Sequence, residues 1–394
     1  MNKNDRSKVL NLLAELINGN RNEIFEANKN DVHQAGKEDI SVTERLKVDD
    51  IKINDMIKSL QSTALKSNPD GLILYQYKND EGLLFQNVTV PFGSILIIYE
   101  SRPDVTIEAA AMAFKSGNTI LLKGGKEARN TNIILVALWK IALVDNGFRG
   151  DEIKYLDFSR QEIQDLISTK RSGIDLIIPR GGDKLIEFVL KNACSPVIVS
   201  GRGNNFVYVH NSANLDMAID IIINGKTRIS VCNATDKVLL DRNLMKNIPF
   251  LENLIKRLTE INIKILGDIN FKTISDQIYI AENEGIMYEE FLSPKIMLCV
   301  AEDLRDAVRK INTYSGGHSA CIVTEDIDIA QKFMDETDCA AVYHNASTRF
   351  TDGGQVGFGG EMAISTQKLH FRGPVGMDQL VTNKWMIFGK GHIR

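Results

Sequence analysis

The sequence predicts an α/β fold in which parallel sheets are covered by helices on both faces. From about Leu83 onward, short apolar runs alternate with amphipathic stretches, as in strands linked by crossover helices. Two turns of that alternation are glycine doublets, Gly124-Gly125 and Gly181-Gly182, each set just before a helix start. A second alternating run begins after Asn204 and predicts another αβ domain. The 394 residues suffice for roughly two or three domains and a large core.

Each element follows from its own pattern. "SKVLNLLAELI" places Val9, Leu12, Leu13 and Leu16 at helical spacing. "RNEIFEANKNDVHQAG" is a second helix with Gly36 as its stop, and "DDIKINDMIKSLQSTALKS" a third. "LLFQNVTVPFGSILIIYES" reads as extended segments rich in β-branched residues. "DVTIEAAAMAFKSG" is a helix ending at Gly117, and "NTILLKGG" a buried strand running into the first doublet. Then come a long helix, "KEARNTNIILVALWKIALVDNG", a strand, "IKYLDFS", and a helix, "RQEIQDLISTK". "IDLIIPRGG" is a strand ending in the second doublet, "DKLIEFVLKNAC" a helix and "SPVIVSG" a further strand. The second run reads "NNFVYVH" strand, "NLDMAIDIIINGKTR" helix, then strands "KVLLD", "IKILG" and "PKIMLCV". Helices "KNIPFLENLIKRLTEI" and "AEDLRDAVRKINTY" accompany those strands. The tail, "PVGMDQLVTNKWMIFGKGHIR", is extended near its end, a form that joins a sheet in a partner subunit or in its own chain.

Composition removes several function classes. A formal charge of −4 without a basic-aromatic stripe argues against nucleic-acid binding. The longest apolar run, "IILVALW", is far short of the roughly 20 residues that cross a bilayer, so no membrane association is expected. The start, "MNKNDRSKVL", has no apolar h-region. Five scattered cysteines suggest reduced thiols in a cytoplasmic protein. Neither CxxC nor HExxH occurs, so no metal site is expected.

The chemistry centres on "RISVCNATD", which holds Cys232 directly after a helix. Taken locally, a lone cysteine is more often a buried core residue than a nucleophile. Cys299, Cys321 and Cys339 sit in or near apolar runs and read as core, while Cys194 ends a helix. The glycine doublets either present backbone N–H groups to phosphate or are plain tight turns. The GxGxxG fingerprint is absent; "GRGNNF" keeps its first half but leads into a strand, so it is set aside as a nucleotide loop.

Long ordered blocks settle the ambiguity. "VPFGSILIIYESRPDVTIEAAAMAFKSGNTILLKGGKEARNTN", "IPRGG", "NGKTRISVCNA", "SGGHSACIVTED", "AAVYHNASTRFTDGGQVGFG" and "AISTQKLHFRGPVGM" resemble the gamma-glutamyl phosphate reductase family of the aldehyde dehydrogenase superfamily. The resemblance spans nearly the whole chain. It implies an aldehyde dehydrogenase-like fold: a Rossmann-type NADPH-binding domain over residues 1–222 with a return segment at about 346–372, an αβ catalytic domain over 223–345, and an oligomerisation segment over 373–394. It also implies NADPH-dependent reduction of L-glutamyl 5-phosphate to L-glutamate 5-semialdehyde, with hydride transfer between the domains. A homo-oligomer and functional coupling to glutamate 5-kinase are implied as well. The nearest rivals are a coenzyme A-dependent reductase of the same superfamily and a silent scaffold for the kinase.

The same resemblance assigns residues. Cys232 would attack the acyl phosphate and form a thioester, since a thiolate is an intrinsically strong nucleophile. Aldehyde-oxidising relatives carry a water-activating glutamate in an "ELGGK"-like segment; the corresponding "VSGRGNNF" has no carboxylate. Lys123, Gly124, Gly125 and Lys126 replace a "KPxE"-type cofactor turn, with Lys126 where an acidic residue would repel a 2′-phosphate. Gly181 and Gly182 complete the expected cofactor turns, and Glu290 matches a superfamily glutamate that contacts the nicotinamide ribose. Arg102 would hold the carbonyl or phosphoryl oxygen, or pair with Glu100 or Asp104. Asn345, Ser347, Thr348, Arg349, Lys368 and Arg372, with His370 nearby, are candidates for the glutamyl group. His318 either pairs with a carboxylate or the departing phosphate or is structural, and "TRIS" lacks the proline expected two residues before Cys232.

Overall fold

The computed structural model describes residues 5–35, 43, 45–170, 172–281, 283–358 and 360–394; the expected stop at Gly36 lies outside them. The chain divides into two compact units. One comprises the residues to Val199 with Gly357–Ala363 and Val375–Arg394; the other comprises Ser200–Val356 and Ile364–Pro374.

The first unit opens with α1 (Asp5–Gly19), α2 (Arg21–Ala35) and α3 (Asp50–Leu65). Val9, Leu10, Leu13 and Ile17 form the fully buried stripe of α1. Asp49 caps α3 by accepting from the Lys52 N–H. Strands β1 (Ile73–Lys78), β2 (Leu84–Pro91) and β3 (Ser94–Tyr99) follow. Then come α4 (Val105–Lys115), β4 (Thr119–Lys123) and α5 (Arg129–Asp145). The run closes with β5 (Ile153–Tyr155), α6 (Arg160–Ser168), β6 (Leu176–Arg180) and α7 (Asp183–Asn192). The buried Asp31 carboxylate accepts from the Asn130 and Thr131 N–H groups and so completes the N-terminus of α5.

β5-β4-β3-β6 form a four-stranded parallel sheet. In chain order this is third-second-first-fourth, the order of half a Rossmann fold. Its reversal point lies between β3 and β6, whose carboxyl ends carry Glu100–Arg102 and Arg180–Gly182. Two local expectations need correction. "SPVIVSG" contributes no strand of its own, only two isolated bridges, Val197 with Ile177 (parallel) and Ser200 with Ser365 (antiparallel). β1 was not foreseen, because its apolar residues do not alternate and all six positions are exposed.

The second unit contains β7 (Asn205–Val209), α8 (Leu215–Gly225), β8 (Thr235–Asp241), α9 (Ile248–Glu260), β9 (Lys264–Gly267) and β10 (Ile278–Ile280). β11 (Lys295–Ala301), α10 (Leu304–Tyr314), β12 (Ser319–Val323), α11 (Ile327–Glu336) and β13 (Ala341–His344) complete it. The seven strands run parallel in the order β10-β9-β11-β8-β7-β12-β13. Their middles are mostly apolar, as burial on both faces demands, with Asp236 and Lys237 of β8 as buried charged exceptions. β7 pairs with β8 and β12, so the expected boundary at residue 222 is too late: β7 and α8 belong to the second unit. The expected return segment, residues 346–372, is likewise split, with only Gly357–Ala363 in the first unit.

β14 (Ala363–Ser365) and β15 (Gly373–Val375) pair with each other. β16 (Val381–Phe388) pairs internally and antiparallel with β2 along its whole length, giving the sheet β1-β2-β16 in the first unit.

Candidate active site

Cys232 occupies a tight turn between α8 and β8, in which the Ala234 N–H donates to the Val231 carbonyl at 3.1 Å. It is half-buried, whereas Cys299, Cys321 and Cys339 are buried and Cys194 is exposed. Burial pushes Cys299 and Cys321 up to about 12 and Cys339 to about 11, leaving them protonated and inert. The five cysteines form no disulfide.

The turn is held from below by the pair that opens β7. The Asn205 side-chain nitrogen donates to the carbonyls of Cys232 (2.7 Å), Ala234 (2.7 Å) and Gly203 (2.9 Å). A Cβ on Gly203 would stand 1.9 Å from the Cys232 carbonyl oxygen, so only glycine permits this approach. "GRGNNF" therefore matters as the platform under Cys232 rather than as a nucleotide loop. The sequence signal was the pair of asparagines abutting an apolar strand, since buried amides must find partners.

A strap after β13 closes over the same turn. The Asn233 side chain donates to the carbonyls of Arg349 (3.1 Å) and Thr351 (3.0 Å) and accepts from the Arg349 guanidinium. Thr348 is buried and donates to the Asn233 carbonyl at 2.9 Å. Ser347 caps the short helical turn by accepting from the Arg349 N–H. Arg349 is thus fixed beside Cys232. Burial and the neighbouring Arg228 lower its pKa, while Asp352 and Cys232 act to raise it. Two guanidinium groups in one locality favour a thiolate and would also hold a phosphoryl group.

Not every expected substrate residue lies here. Asn345 spends its amide on the Thr324 N–H and carbonyl, both at 3.0 Å. Thr324 follows the carboxyl end of β12, whereas Cys232 sits at the amino edge of the sheet. Asn345 thereby ties the start of the strap to the end of β12. Lys368 and Arg372 close on Asp338, at 3.2 Å and 2.6 Å. Arg372, then Lys368, hold that carboxyl below its usual range. His318 is fully buried and pushed down to about 4 by burial, as a structural, neutral histidine requires. Glu290 is half-buried on the segment before β11.

Of the expected cofactor residues, Lys123–Lys126 and the Gly181-Gly182 doublet lie at the carboxyl ends of β4 and β6 in the four-stranded sheet, whereas Glu290 lies in the second unit. Lys123 folds onto its own turn and donates to the Gly124 carbonyl at 2.6 Å, while Lys126 is exposed. Glu127, missed in the sequence, turns inward and accepts from the Ser101 N–H and hydroxyl at 2.8 and 2.7 Å. Ser101 has φ 44°, a strained conformation for a side-chain-bearing residue. It sets the direction of Arg102, which is exposed and pairs with Asp104 at 3.5 Å. Glu108 on α4 is pushed up to about 7 by burial and by Asp104. At the other doublet the Gly182 N–H donates to Glu100 at 3.0 Å, and a Cβ on Gly181 would lie 2.4 Å from the same carboxylate oxygen. A carboxylate thus already caps α7, where a phosphate was expected. Among the described residues, no cluster of histidine, cysteine and acidic side chains could hold a metal ion. No helix among them is long and apolar enough to cross a membrane.

Known proteins resemble this chain along most of its length. The sequence profile of the aldehyde dehydrogenase family matches residues 1–269 and 278–386. The gamma-glutamyl phosphate reductase of Clostridium acetobutylicum is 42% identical over 90% of this chain and 84% of its own. That of Dictyoglomus thermophilum is 38% identical over 100% of this chain and 95% of its own. The crystal structure of gamma-glutamyl phosphate reductase from Thermotoga maritima superposes with a TM-score of 0.94 at 38% identity, covering 100% and 95% of the two chains.

Proposed function

The chain belongs to the gamma-glutamyl phosphate reductases of the aldehyde dehydrogenase family, and on that premise we propose how its residues carry the reaction. It reduces L-glutamyl 5-phosphate to L-glutamate 5-semialdehyde and phosphate, the second step of proline biosynthesis from glutamate. The Cys232 thiolate attacks the acyl carbon; a C–S bond forms and the C–O bond to phosphate breaks, its electron pair leaving with phosphate. The observation that carries this reading is the setting of Cys232: half-exposed, on a tight turn, with Arg349 beside it. That cation lowers the cost of the thiolate before attack and stabilises the departing phosphate after it. When bound, the nicotinamide cofactor supplies the hydride that reduces the thioester carbon. Cys232 Sγ then leaves as thiolate while the aldehyde carbonyl forms.

The reversal of strand order between β3 and β6 supports a dinucleotide site at the carboxyl ends of this sheet. NADPH is the preferred form, because the exposed Lys126 offers a cation to a 2′-phosphate while the nearby Glu127 is committed to Ser101. Arg102 serves the acyl or phosphoryl oxygen, and Ser347 and Thr348 fix the strap that presents Arg349. The sheet β1-β2-β16 exposes Tyr75, Trp385, Ile387 and Phe388, which supports a homo-oligomer. A cytoplasmic home and hand-over of the reactive acyl phosphate from glutamate 5-kinase complete the reading. The test is NADP⁺ reduction by L-glutamate 5-semialdehyde, expected only with inorganic phosphate present. Activity that needs coenzyme A instead, or that survives in Cys232→Ser, would overturn it.

A further inference from the structure

Behind the Cys232 turn lies a buried charged group that the reaction as described does not use. β8 starts at Thr235 and pairs with β7 irregularly: Asn205 faces Thr235 but Phe206 faces Lys237. Asp236 is the extra residue, and the interruption breaks the strict alternation of side chains. Asp236 and Lys237 consequently reach the same piece of chain, the segment before β11. Asp236 Oδ1 accepts from Lys226 Nζ at 2.6 Å, and both side chains are buried. Asp236 Oδ2 accepts from the Phe291 N–H at 2.6 Å. Lys237 is fully buried; its Nζ donates to the Glu289 carbonyl at 2.8 Å and stands 3.6 Å from the centroid of the Phe291 ring.

Those two backbone groups belong to the peptide units on either side of Glu290. One grip holds the Glu289–Glu290 peptide and the other the Glu290–Phe291 peptide, so the direction of the Glu290 side chain is set by strand β8. Leu292, two residues on, has φ 42°, a conformation that persists only where surrounding contacts impose it. Burying two ammonium groups around one carboxylate is costly for stability alone.

We propose that Asp236 and Lys237 form a strut that positions Glu290 for the nicotinamide ribose, and that Lys237 is a positioning residue for the reaction. The proposal rests on the reading that Glu290 contacts that ribose. It links the nucleophile to the cofactor contact within a single strand, because the strut begins four residues after Cys232.

The charge state of Lys237 bears on this. Burial pushes it down to about 8 against the pull of Asp236, with Lys226 pushing further down and Cys299 and Glu289 acting to raise it. The cation is therefore present at neutral pH and lost in mild alkali.

The test compares Lys237→Met, Lys237→Arg and Glu290→Gln by fluorescence titration with NADPH and with 2′,5′-ADP, which lacks the nicotinamide half. Loss of a charged hydrogen bond predicts a roughly tenfold weaker NADPH affinity in K237M, with 2′,5′-ADP affinity unchanged and K237R largely restored. E290Q added to K237M should weaken binding little further, since the two act through one contact. The weakening of wild-type affinity above about pH 8 should be absent in K237M. Unchanged NADPH affinity in folded K237M, or equal loss for both ligands, overturns the strut. Wild-type protein that reduces no acyl phosphate, with the K237M effect on NADPH intact, would break the reading of the reaction and leave the strut standing.

Discussion

At the scale of single residues, the site turns on how charge is placed around one sulfur. Arg349 is oriented by Asn233, a neighbour of Cys232, so nucleophile and cation are fixed by the same turn. Replacing Arg349 with Met should lower kcat/KM by about 100-fold, as removal of one electrostatic donor commonly does. Alkylation of Cys232 by iodoacetamide at neutral pH should slow as well, because the thiolate loses its nearest support. A variant with unchanged alkylation and turnover would remove Arg349 from the chemistry. Lys126 makes a second, separate case. Reversing its charge in Lys126→Glu should raise KM for NADPH by at least tenfold while leaving KM for NADH nearly unchanged. An equal effect on both cofactors would show that the lysine reads something other than the 2′-phosphate.

At the scale of elements, the decisive feature is the approach of the chain before β7 to the turn before β8. Gly203→Ala would drive a methyl group into the Cys232 carbonyl, and the obstacle is backbone rather than a flexible side chain. The expected result is a loss of activity of about 100-fold through displacement of Cys232, with a stability loss of about 1–3 kcal/mol by urea unfolding. Retained activity would mean the turn tolerates movement. The helices and most strands were legible in the sequence because each carries a clear period, as in the Val9–Ile17 stripe of α1 or the unbroken apolar run of β11. Cys232 and Arg349 were reachable through the resemblance. Gly203, Asn205 and Asn233 were not, because their importance lies in contacts between segments far apart in the chain. The same is true of Asn345, whose amide is taken up by Thr324 at the far edge of the sheet. Charges that look available in sequence, such as Lys368 and Arg372, can likewise be occupied by a partner that only folding brings near.

At the scale of the whole molecule, buried groups and exposed sheets govern stability and assembly. His318 ordinarily titrates near 6.5 but in the fold only near 4. The unfolded chain therefore binds the proton first, and stability falls as pH drops from about 6.5 to about 4, by up to about 3 kcal/mol. His318→Gln should flatten that part of the urea-midpoint profile, and an unchanged slope would assign it to other groups. The second consequence concerns β1-β2-β16. β16 is satisfied along one edge by β2, yet Trp385, Ile387 and Phe388 remain about half exposed, as do Ile73, Leu74, Tyr75 and Tyr77 on β1. Apolar area of this kind, concentrated on one three-stranded sheet, supports the proposed homo-oligomer. Paired charges placed there, Trp385→Glu with Tyr75→Lys, should lower the sedimentation mass from an oligomer towards 44.0 kDa without unfolding the chain, because neither side chain belongs to a core. Gly203, Asn205, Thr348 and Arg349, which hold the Cys232 turn, all lie in the same unit as Cys232, so the dissociated protein should keep its rate of Cys232 alkylation. Wild-type protein that sediments as a monomer would refute the assembly.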